Sequence, residues 1–141
     1  MEVLNKMNLK FLSLSENESF ARLAVASFCS NCKFDIEAIS DIKTAVSEAV
    51  TNCIVHGYDG NVGEIEIECN IFKDYVEIII SDKGEGIENI EKAKTPFFTT
   101  KPDKERSGMG FTVMEGFMDK MEVISEKHRG TTVKLIKKIV C

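Results

Sequence analysis

Two alternating runs, E-I-E-I-E-C-N-I at 64–71 and Y-V-E-I-I-I at 75–80, constrain this 141-residue chain more than any other feature. Period-two alternation puts the isoleucines of the first run on one face of a strand and its glutamates on the other. Only Phe72, Lys73 and Asp74 separate the runs, so they are expected to pair as an antiparallel hairpin. An apolar sheet face must be buried against another layer.

The first half of the chain supplies that layer. Residues 7–14, M-N-L-K-F-L-S-L, read as an edge strand, and Ser15 and Glu18 fit a capping box in which Glu18 reaches back to the helix start. A helix follows to about Ser30, with Phe20, Leu23, Ala24, Ala26 and Phe28 as its apolar residues. Asp35 opens a second helix that runs to about His56 and is ended by Gly57. Residues 81–110 are rich in Gly, Pro, Lys and Thr; a short helix at 110–118 and strands at 121–125 and 132–139, turning at His128-Arg-Gly130, complete the chain. The expected fold class is a two-layer α/β sandwich: a mixed, mostly antiparallel sheet covered on one face by helices, in one domain spanning 1–141.

Composition narrows the function. At 43% hydrophobic and 29% charged, the chain has the make-up of a folded soluble protein. No apolar run approaches the roughly 18 residues a membrane span needs, and the N-terminus lacks the basic and apolar regions of a signal peptide. The expected location is cytoplasmic, with no membrane partner. A net charge of −5 disfavours direct nucleic-acid binding; the basic residues that cluster, at 92–106, make a local anion site at most. The five cysteines are irregularly spaced, and Cys29-Ser-Asn-Cys32 has no second pair to complete a zinc site, so two half-buried helix-end thiols are expected there.

Three segments carry chemistry. In E-A-V-T-N-C-I-V-H-G-Y, residues 48–58, Glu48, Asn52 and His56 recur four apart, so a helix would stack a carboxylate, a carboxamide and an imidazole along one edge of its apolar face. Such a column is costly beside a core unless its groups find partners; a capped, solvated helix edge is the plain alternative. Asp82-Lys-Gly-Glu-Gly-Ile87 follows a strand, and its alternate glycines let a backbone approach a ligand or take φ > 0, as they also would in an ordinary turn. Arg106-Ser-Gly-Met-Gly-Phe111 leads into the short helix, whose first N–H groups would be free to cradle phosphate. It is neither a Walker P-loop nor a Rossmann fingerprint.

The order of these segments, closed by Gly130-Thr-Thr132, resembles the GHKL (Bergerat) ATP-binding fold of histidine kinases, type II topoisomerases, Hsp90 and MutL, over nearly the whole chain. More narrowly, residues 47–58 (S-E-A-V-T-N-C-I-V-H-G-Y), 96–102 (P-F-F-T-T-K-P), 105–111 (E-R-S-G-M-G-F) and 17–22 (N-E-S-F-A-R) are similar to the anti-sigma-F factor family of spore-forming bacteria. That resemblance implies ATP/ADP and Mg²⁺ as cofactors and a protein serine kinase activity. It makes Asn52 the magnesium ligand, Glu48 the general base and Asp82 the adenine reader. Gly84 and Gly86 would give the base room, and the hydroxyl of Thr132, or of Thr131, would support it. Thr99, Thr100, Lys101, Ser107, Gly108, Met109, Gly110 and Phe111 would belong to the phosphate-binding lid, with Arg106, and Lys101 beside it, offsetting transferred charge. Lys101 reads equally as a solvated loop lysine, and His56 as a helix-end histidine rather than a catalyst.

The implied partners are a sporulation sigma factor, held by an ATP-bound homodimer, and an anti-anti-sigma factor phosphorylated on serine. Arg22, by default a surface charge, would contact them. A related stress-response switch kinase, or a nucleotide-stabilised binding module without catalysis, are the alternatives. A histidine-kinase ATP-binding domain is disfavoured, since His56 and His128 are the only histidines and neither sits on a phosphoacceptor helix. The topoisomerase and MutL branches lack support because no transducer domain is recognisable in the sequence.

Overall fold

The alternating runs do form strands. In the computed structural model, which describes residues 2–87 and 110–139, they are β2 (Glu64–Ile71) and β3 (Tyr75–Asp82), paired antiparallel with Ile67 opposite Ile80. Their connection is closed by the Phe72 N–H donating to the Tyr75 carbonyl at 2.9 Å, with the two rings stacked at 4.7 Å. Before them come β1 (Asn5–Leu12), α1 (Glu16–Cys29) and α2 (Ile36–Asn52), and after them α3 (Gly110–Phe117), β4 (Lys120–Glu126) and β5 (Gly130–Lys138). The sheet order is β1-β2-β3-β5-β4, and all four pairings are antiparallel. That is the extreme of the mostly antiparallel sheet expected.

One face of the sheet is apolar because each strand alternates in phase. Ile65, Ile67 and Cys69 of β2 lie in register with Asp82, Ile80 and Ile78 of β3, and Ile80 and Ile78 in turn with Val133 and Leu135 of β5. All of these except Asp82 belong to the buried core. The helices cover this face, with α2 in contact with both α1 and α3. Its Ile42, Ala45, Val46, Ala49 and Val50 are buried, a stripe at helical spacing. The opposite face carries Glu66, Glu68, Glu77, Lys134 and their neighbours; the Lys134 ammonium lies 3.0 Å from Glu77.

Helix starts divide the two N-terminal caps. Asp35 caps α2 with its carboxylate accepting the Ala38 N–H at 2.7 Å. Ser15 does not cap α1: it adopts helical dihedrals and makes no side-chain cap hydrogen bond, and Glu18 instead accepts from the Ser47 hydroxyl of α2 at 2.7 Å. The capping box is therefore replaced by a tertiary bond, with Asn17 Nδ2 bonding the Leu12 carbonyl at 2.9 Å across the turn. The first strand also sits two residues earlier than its sequence suggests, at Asn5–Leu12, because its inward residues Met7, Leu9 and Phe11 follow the register of Cys69, Ile67 and Ile65.

Candidate functional site

The helix bearing Glu48 and Asn52 does not continue as an α-helix to His56. After Asn52 the chain makes one π-helical turn, Cys53–Gly57, closed by the Tyr58 N–H donating to the Cys53 carbonyl at 2.9 Å. Single π-turns are uncommon and concentrate at functional sites. Glu48 and Asn52 keep their one-turn stacking on regular α-helix, both half-buried, while His56 sits within the wider turn. Gly57 ends the segment without a left-handed conformation. Its lack of a side chain has another cause.

That cause is Asp82. As the last residue of β3, Asp82 takes the place in the alternation after Val76, Ile78 and Ile80, so its carboxylate points to the buried face and is 6% exposed. Burial pushes its pKa up from 3.8, an effect partly offset by the Gly84 amide, the Cys53 thiol and the Thr131 amide. The Gly84 N–H donates to Oδ1 at 2.9 Å. A β-carbon on Gly57 would lie 2.8 Å from Oδ2, so glycine is what lets the π-turn reach this carboxylate. Cys53 faces the same group, and burial raises its thiol well above the ordinary value.

The turn after β3 is held from both sides. The Lys83 N–H donates to the Tyr58 hydroxyl at 2.9 Å, and the Glu85 N–H to the Gly57 carbonyl at 2.7 Å. The Ile87 N–H donates to the Ser125 hydroxyl at 2.7 Å. Gly84 and Gly86 were expected to leave room for a base. A β-carbon at Gly84 would stand 1.9 Å from the Gly57 carbonyl oxygen, and one at Gly86 1.9 Å from that of Glu126. Both glycines are thus required by close backbone packing within the protein.

The two threonines part company. In β5, Thr131 pairs with Asp82 and Thr132 with Ser81, so Thr131 shares the Asp82 face and Thr132 lies on the other. The Thr132 hydroxyl is 3.2 Å from that of Ser81, and the Thr131 hydroxyl 2.8 Å from that of Ser125. Gly110 is buried and opens α3, with Phe111 packed on the core. Thr99, Thr100, Lys101, Arg106, Ser107, Gly108 and Met109, with the basic cluster at 92–106, lie outside the described residues.

Arg22 lies on α1, its side chain 36% exposed, with Nε 3.4 Å from Glu18 and an amino group 3.3 Å from the Ser19 hydroxyl. Through Glu18 it is linked to Ser47, the neighbour of Glu48. Cys29 and Cys32 are free thiols, Cys29 fully buried rather than half-buried. Burial raises the Cys29 thiol to about 12, which makes it a poor nucleophile.

A divalent cation would be held here by few protein donors. Among the described residues no cluster of three His, Cys, Asp or Glu could cage a metal. The carboxamide oxygen of Asn52 is a hard donor suited to magnesium, which keeps waters and takes phosphate oxygens for the rest of its shell. No helix of the described residues is long and apolar enough to cross a membrane.

The contacts of Cys53 and Gly57 with Asp82, and of Tyr58 and Ser125 with the turn that follows it, carry no local sequence signal: nothing near the G-Y dipeptide after His56 says which strand end it would meet.

Comparison with known proteins agrees with this fold. Residues 11–137 match the family model described as the histidine kinase-like ATPase domain. A protein of Clostridium beijerinckii named anti-sigma F factor is 58% identical over 135 residues, which cover 95% of this chain and 94% of that one. One of the same name from Thermoanaerobacter sp. is 55% identical, covering 99% and 97%. The solved structure of the RsbU and RsbW domains of Rv1364c from Mycobacterium tuberculosis shares the fold, with a TM-score of 0.69 at 17% identity over 96% of this chain. This chain spans 32% of that longer one.

Proposed function

Because this chain belongs to the anti-sigma F factor family and carries its histidine kinase-like ATPase domain, we propose that it is an ATP-dependent protein serine kinase and a holder of a sporulation sigma factor. As a single-domain homodimer in the cytoplasm it would keep that sigma factor from RNA polymerase. It would also phosphorylate a serine of the anti-anti-sigma factor that competes for the same surface, with Arg22 contacting both. ATP against ADP would choose between partners, since a ligand shifts an equilibrium only through differential affinity.

The observation that supports this most is the continuity of one wall. The helix that stacks Glu48 over Asn52 passes through the π-turn directly into Gly57, which abuts Asp82. A nucleotide lying along this wall would meet an acceptor for its exocyclic amine at Asp82 and an oxygen donor at Asn52. Magnesium held there would neutralise phosphate charge. Glu48, one turn before Asn52, would accept the proton of the attacking serine hydroxyl, for which it must come within hydrogen-bond reach. Thr131 is the β5 hydroxyl on the Asp82 side, so it is preferred to Thr132 as the residue beside the base. Gly110 and Phe111 would continue the phosphate lid from Thr99, Thr100, Lys101, Ser107, Gly108 and Met109, and Arg106 would offset charge on the transferred group.

The test is Glu48→Gln, assayed with labelled Mg·ATP and the anti-anti-sigma protein. Loss of labelled phosphoserine with nucleotide binding retained by calorimetry is expected. Undiminished phosphorylation removes Glu48 from this role, and absence of phosphoserine with the parent protein leaves a binding module without catalysis.

A further inference from the structure

Three consecutive N–H groups follow Asp82, and none is left to chance. That of Lys83 goes to the Tyr58 hydroxyl, that of Gly84 back to Asp82 itself, and that of Glu85 to the Gly57 carbonyl. Two of these three acceptors belong to the adjacent residues Gly57 and Tyr58, the exit of the π-turn. The Tyr58 hydroxyl has a second duty, donating to the Glu64 carbonyl at the start of β2. It thus spans two segments, donating to one and accepting from the other, which a phenol can do with a single oxygen.

The tyrosine ring is fixed independently of its hydroxyl. A β-carbon at Gly63 would stand 2.2 Å from the ring, so the ring packs closely against the chain there. The Tyr58 N–H and carbonyl are also bonded, to the Cys53 carbonyl and the Asn61 N–H, each at 2.9 Å. Burial of the phenol raises its pKa, so it keeps its proton and remains a donor at neutral pH.

We propose that Tyr58 is a positioning residue for purine recognition: its hydroxyl, strapped between Glu64 and Lys83, sets the height of the turn that aims Asp82 at a 6-amino group. The inference rests on the nucleotide-binding role argued above. Gly84 uses Oδ1 and Gly57 packs on Oδ2, so a small shift of residues 83–85 re-aims the carboxylate. Asp82 is a directional acceptor, and the discrimination it offers depends on that aim. Tyr58 itself touches no ligand in this scheme.

Tyr58→Phe keeps the ring over Gly63 and removes only the strap. Calorimetry would compare Mg·ATP with the Mg complex of purine riboside triphosphate, which lacks the 6-amino group, in parent and variant. About a fivefold weaker Kd for ATP is expected in the variant, with the analogue's Kd changed less than twofold. Faster amide exchange at Lys83 in the nucleotide-free variant, read by NMR, should accompany it. Equal weakening of both ligands, or an unchanged preference for ATP, overturns the proposal. Failure of the parent to bind Mg·ATP at all would overturn the nucleotide site itself, an outcome visible in the first titration.

Discussion

Gly57 and Asp82 touch through main chain and carboxylate: a β-carbon on the glycine would lie 2.8 Å from Oδ2 and 2.9 Å from Cγ of the aspartate. Gly57→Ala must therefore displace either the π-turn or the carboxylate. An overpacked site of this kind costs about 1–3 kcal/mol of stability, and the ATP Kd should weaken by about tenfold or more. Gly116→Ala is the control. It lies exposed in α3 with nothing among the described residues within 4 Å of its added carbon, and should stabilise by about 0.5–1 kcal/mol. Urea denaturation of the two variants would show opposite signs.

Acidification should act on Asp82 in two opposed ways. Its folded pKa is raised above 3.8 by burial, so the ionised group subtracts stability. That penalty is absent below 3.8 and grows as pH rises through the folded pKa. Recognition of a 6-amino group needs the ionised acceptor, so the preference for ATP over purine riboside triphosphate should shrink as pH falls through the same interval. Titrations across mildly acid pH would show this narrowing in the parent and no pH dependence of the preference in Asp82→Asn.

Lys137 closes the far end of α3. Its ammonium donates to the Phe117 carbonyl at 2.6 Å and lies 3.1 Å from Asp41 of α2, with the two side chains 14% and 21% exposed. A cation at a helix C-terminus is favourable, and removing it strands a partly buried carboxylate. Lys137→Met should lower unfolding free energy by about 2 kcal/mol, and Lys137→Met with Asp41→Leu by less than the sum of the two single changes. Chemical denaturation of this double-mutant cycle would give the coupling; simple additivity would show that the pair does not interact.

Two serine and aspartate caps look alike in sequence and should behave differently. Asp35→Ala removes the bond to the Ala38 N–H and should cost about 1 kcal/mol. Ser15 makes no side-chain cap bond, so Ser15→Ala should change stability by less than about 0.5 kcal/mol. Thermal unfolding of the pair is sufficient to check both.

Much of the architecture was legible because it follows from short-range patterning. The runs at 64–71 and 75–80 alternate, so the hairpin and its apolar face follow from the letters, and Asp35 before an apolar-periodic stretch marks the α2 start. The order of the E-x-x-x-N, D-x-G-x-G, G-x-G and G-T-T segments resembles the GHKL ATP-binding fold, and the match of 11–137 to the histidine kinase-like ATPase domain bears that out.

Where a residue has two suitors, only the packed structure chooses between them. Ser15 and Glu18 satisfy the capping-box spacing, yet Glu18 takes the Ser47 hydroxyl, a residue 29 positions away. The helix through Asn52 reads as continuous, but its last turn widens to bring Gly57 onto Asp82. Thr131 and Thr132 are chemically equal in sequence, and only the pairing of β5 with β3 separates them by face.

What the chain's own letters determined is therefore the list of elements, the apolar face and the chemical kinds of residue in play, since periodicity and local propensity act within a few positions. Tertiary structure decided which of those residues meet. The Asp82 carboxylate is buried with a glycine of another element against it, and such contacts between segments far apart in sequence depend on how the layers pack.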